Sequence, residues 1–171
     1  MTLAQMAVPL HEAALITPIH TRIGQRAFGT SPGEGEVMFT LRTHSNESMQ
    51  VLEEKALNTA EKIAAAHGLS MEAQWTEPFE AVHNDETCVH RIETAAKKLE
   101  LPVTWKDVPF PWSEDFGVFT GKYKGALFGL GSGIRQPQLH NERYDFPDEI
   151  LESGTLMFYH LILDLLDKEN N

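Results

Sequence analysis

Residues 36–68 read EVMFTLRTHSNESMQVLEEKALNTAEKIAAAHG, and a change of period inside this stretch decides the fold. Val37, Phe39 and Leu41 alternate with Met38 and Thr40, the period of two that a half-buried strand imposes. After Ser45 and Asn46, both good N-caps, the spacing becomes helical. Met49, Leu52, Ala56, Thr59, Ile63 and Ala66 fall on one face, and Gly68 stands where such a helix stops.

Working outward, residues 15–24 (LITPIHTRIG) are rich in β-branched side chains and end at glycine, so they read as a strand whose Pro18 favours an edge or a strand start. The turn-forming run GTSPGEGE at 29–36 joins it to the next strand. Residues 71–79 (MEAQWTEPF) read as a returning strand. The order β-β-α-β predicts the larger part of a small α+β sandwich, a partial ferredoxin-like unit over residues 1–79, with an earlier helix or strand expected upstream. Residues 1–10 (MTLAQMAVPL) neither target nor pattern as an element.

From residue 80 to 171 the pattern restarts. A helix over 85–100 carries Val89, Ile92, Ala96 and Leu99 on one face and stops at Leu101-Pro102. A short strand is expected at 103–108 (VTWKDV), then an aromatic loop through Phe110 and Trp112. Residues 125–133 (GALFGLGSG) suit a strand buried on both faces. After a polar loop at 134–145, a last helix begins beyond Pro147, with Asp148, Glu149 and Glu152 in its first turns. Its expected buried face is Ile150, Leu151, Met157, Phe158, Leu161, Ile162 and Leu165. The whole reads as mixed α/β and α+β, the second part being one flank of an α/β/α layer.

Composition narrows function. A chain of 171 residues that is 42% hydrophobic can fill a core, and its formal net charge of -11 repels phosphate backbones and anionic lipid, so neither nucleic acid nor a membrane is an expected partner. Cys88 is the single cysteine, which excludes an intrachain disulfide and a thiolate zinc site and fits a cytoplasmic location.

Eight histidines invite a metal reading, but no HExxH, HxH or paired Cys/His spacing occurs. His11, His44, His67, His90 and His160 read as surface or structural residues. His140 differs, because it lies in a polar loop between a buried strand and a helix, where α/β proteins present functional side chains. It is a candidate metal ligand, with Gln138, Asn141 and Glu142 near enough in sequence to fix its tautomer. The alternative is a structural polar residue. Glu114 and Asp115 could likewise hold a metal or orient a histidine, or serve a helix N-terminus capped by Ser113. Gly129, Gly131 and Gly133 lack the spacing of a phosphate loop and instead suit the approach of a neighbouring backbone to a buried strand.

Several separated stretches also line up, in order, with one family. Residues 27–32 (AFGTSP) match an Ala-Phe-Asn-x-x-Pro turn, 40–43 (TLRT) a Thr-x-Arg-Thr strand end, and 64–69 (AAAHGL) the close of a long helix. Asn84-Asp85, 113–116 (SEDF), 127–131 (LFGLG), and Leu139-His140 followed by Asp145-Phe146 continue the series. Over about residues 16–166 the chain resembles the second half of the zinc-dependent amidohydrolases and metallopeptidases that include aminoacylase, hippurate hydrolase, indole-acetyl-amino-acid hydrolase and glutamate carboxypeptidase.

The resemblance implies that residues 1–79 are part of a lid and dimerisation domain and 80–171 the returning part of a catalytic domain. It implies amide hydrolysis in N-acyl amino acids or small peptides, with zinc, manganese or cobalt as the family's metal, His140 as its last ligand, and Arg42 near a substrate carboxylate or the dimer partner. It further implies that the remaining ligands, the general-base glutamate and the lid histidine precede the residues present here, so that the chain alone is inactive and does not hold the metal stably. Gly29 departs from the family's asparagine. A homo-oligomer, through the lid strand or an exposed sheet edge, is the expected assembly. A non-catalytic dimerisation or scaffold module from a truncated gene is the alternative.

Overall fold

Strand β1 (Leu15–Ile23) and strand β2 (Gly35–Arg42) form an antiparallel pair in the computed structural model, which describes residues 14–110, 112 and 114–169. The register sets Leu15 opposite Arg42 and Ile23 opposite Gly35, with an irregularity between Pro18 and His20. Proline cannot donate to a ladder, so the break falls where the sequence placed an edge feature. Gly24 turns the chain at φ 53, and a Cβ there would lie 2.8 Å from that of Pro32, so only glycine fits this turn. Across the ribbon Arg22 meets Glu34 at 3.0 Å.

Helix α1 (Asn46–Ala66) packs on β2. Ser45 caps it, its hydroxyl accepting from the Ser48 amide at 3.2 Å. Leu52 is fully buried, while Ile63, expected on the same face, stays 45% exposed. The Asn46 side chain accepts from the Ala81 amide at 2.7 Å and ties the end of this unit back to the start of α1.

The described residues divide between Ala81 and Val82 into two compact units. The second holds α2 (Glu86–Lys98), the single-turn α3 (Gly117–Thr120) and α4 (Ile150–Glu169). Ala95 and Ala96 of α2 and Met157 of α4 make its core, with Ile92, Leu99, Leu101, Phe128 and Leu161 against it. Alanines let the two helices approach closely, and Arg91 pairs with Asp164 beside that contact.

Three expected strands do not join a ladder among the described residues. In residues 71–79, Glu77 adopts φ 53 and Pro78 follows it, which interrupts the extended run. Residues 103–108 make no backbone hydrogen bond among the described residues, and residues 125–130 are met along one edge only, chiefly by a side chain. The buried face expected of α4 is also narrower than its apolar pattern. Leu151, Phe158, Ile162 and Leu165 are more than half exposed, because no described element covers them. No helix among the described residues is long and apolar enough to cross a membrane.

Candidate functional site

Asn84 and Asp85 organise the second unit. The Asp85 carboxylate accepts from the Thr87 and Cys88 amides at 2.9 and 3.1 Å and so caps α2. The Thr87 hydroxyl, the Cys88 amide and then Lys124 at 3.8 Å favour its charged form and hold its carboxyl below the usual range. The Asn84 amide group brackets Leu127, accepting from its N–H at 2.8 Å and donating to its carbonyl at 3.0 Å. With the Asp85 N–H on the Gly125 carbonyl at 2.9 Å, the entrance to α2 is fastened along residues 125–127. Sequence reading found this dipeptide only as part of a resemblance, since a clamp across 43 residues leaves no local signature.

Residues 125–130 run on from that clamp with aromatic groups against their glycines. A Cβ on Gly129 would lie 2.9 Å from Phe110 Cζ, and one on Gly125 would lie 3.4 Å from Phe116 Cζ. Phe110 stacks on Trp112 with ring centres 4.2 Å apart. Gly125 and Gly129 therefore serve close packing of aromatic side chains, whereas Gly131 and Gly133 have nothing within 4 Å of a Cβ position, so among the described residues no neighbouring backbone makes the approach expected from the alternating glycines.

The candidate site residues lie in both units. Arg42 ends β2 in the first unit and is exposed. Glu114 and Asp115 are exposed in the second, where the Asp115 carbonyl accepts from the Val118 amide at 3.2 Å. The expected capped helix differs here. Helix α3 starts at Gly117 after an N-cap Phe116 that makes no side-chain cap bond, and neither acid is in its first turn. Ser113 lies outside the described residues. His140 is exposed in the loop before α4 with φ 68, a left-handed conformation that histidine tolerates better than most residues.

No group of three or more His, Cys, Asp or Glu among the described residues could hold a metal ion. A hydrolytic centre needs about three protein ligands and an open position. The described residues therefore do not form a complete metal site.

A shallow cleft of about 250 Å³ was not foreseen. It is lined by Asn84, Glu86, Val89, His90, Glu93 and Trp105. The spacing of Glu86, His90 and Glu93 along α2 was the available signal. Glu93 is engaged by Lys97 at 2.8 Å, a hydrogen bond that holds its carboxyl below the usual range.

The mixed α/β arrangement, with an antiparallel strand pair and four described helices, resembles part of an M20 family peptidase domain. A solved structure of this kind is the Bacillus subtilis YXEP protein, a dinuclear metal binding peptidase from the M20 family. It matches with a TM-score of 0.72 and 25% sequence identity over 90% of this chain and 42% of that one. The chain thus spans less than half the length of that peptidase. No protein-family model matches the chain. A search of curated proteins gives no match.

Proposed function

We propose that this chain is part of a metal-dependent amidohydrolase acting on the amide bonds of N-acyl amino acids or small peptides, and that it is inactive alone. The observation that carries the reading is the likeness of nearly the whole chain to less than half of a dinuclear metal peptidase. The motif series from residue 27 to residue 146 supports it. In this reading residues 1–79 belong to a lid and dimerisation domain and 80–171 to the catalytic domain. His140 is one metal ligand, and Arg42 meets a substrate carboxylate or a dimer partner. Glu114 and Asp115 flank the site. Zinc, manganese or cobalt is the metal of the complete enzyme, and the location is cytoplasmic.

An assay of the pure chain with each of these metals on N-acetyl and N-benzoyl amino acids tests the reading, with no turnover expected. Sustained turnover by a monomeric chain overturns it. The coding sequence immediately upstream gives a second test. It should carry further histidine and carboxylate ligands in frame, and a frame without them removes the hydrolase reading.

A dimerisation module is the second reading, favoured by the outer edge of β1, which no strand among the described residues pairs and where Ile19 and Ile23 are 61% and 68% exposed. An Ile19→Lys variant that sediments like the parent chain speaks against it.

A further inference from the structure

We draw no further inference here: the strongest candidate, the shallow cleft along α2 between Glu86, His90, Glu93 and Trp105, is an acidic cluster whose Glu93 already pairs with Lys97, and no buried, unpartnered polar side chain among the described residues points to a ligand for it.

Discussion

β1 and residues 125–130 are both short and largely apolar, yet only β1 is in a ladder. β1 has its neighbour one connecting loop away, at residues 24–34, and β2 meets it along nearly its whole length while both strands stay largely exposed. Residues 125–130 have the reverse. Their faces are covered by Phe110, Phe116 and α4, but among the described residues an Asn84 side chain and one Asp85 amide are all that meets their backbone. Burial of faces and pairing of edges are thus separate conditions. The first unit meets the second condition and barely the first, with Leu52 the one fully buried large side chain among its described residues.

The comparison is broken most strongly at the covered faces. Met157 is 3% exposed at the centre of the second unit, and Met157→Ala should cost about 3 kcal/mol through lost transfer energy and the cavity left behind. Urea denaturation should show the loss in the emission of Trp105 and Trp112. An effect below about 1 kcal/mol would mean that α2 and α4 are not held through this contact.

Asn84→Ala tests the edge instead of the face. It removes both hydrogen bonds to Leu127 and should cost about 1 kcal/mol, with faster exchange of the Leu127 amide. Unchanged exchange there would show that the clamp does not hold the strand in place.

Asp85 gives a smaller effect, read as a slope. Its folded pKa is lowered, chiefly by the Thr87 hydroxyl and the Cys88 amide, so the unfolded chain binds the proton more readily. Its contribution is therefore present above the ordinary aspartate value of about 4 and is lost as the pH falls through the lower folded value. Asp85→Asn keeps an acceptor oxygen for the cap but cannot titrate. Melting temperatures across the acid range should fall less steeply for this variant, and parallel curves would remove Asp85 from the acid response.

What was legible in the sequence follows the same division. The helices could be read because their determinants are local: Ser45 as a cap, helical apolar spacing, Gly68 as a stop. The β1–β2 pair was legible because a run of turn formers joins a segment rich in β-branched residues to an alternating one. Residues 71–79, 103–108 and 125–133 were read as strands from composition, but a ladder depends on neighbours that composition does not name. The same holds for α4, whose apolar pattern is plain while the cover over Leu151 and Ile162 is not a property of the helix. At the candidate site, sequence placed His140 on its loop and missed both its left-handed backbone and the Asn84 clamp.

The least change in stability is expected at His140, and that makes it informative. A left-handed residue other than glycine carries strain, whereas glycine releases the strain but adds freedom to the unfolded chain. The two effects oppose, so His140→Gly should lie within about 0.5 kcal/mol of the parent, and His140→Asn, also tolerant of this conformation, should do likewise. Backbone demand alone thus does not select histidine over asparagine or glycine here. If the imidazole is there as a ligand, zinc titration of the parent chain should give weak binding heat that both variants lose at unchanged stability. Equal heats in all three would leave the loop with a backbone role and detach His140 from the proposed metal site.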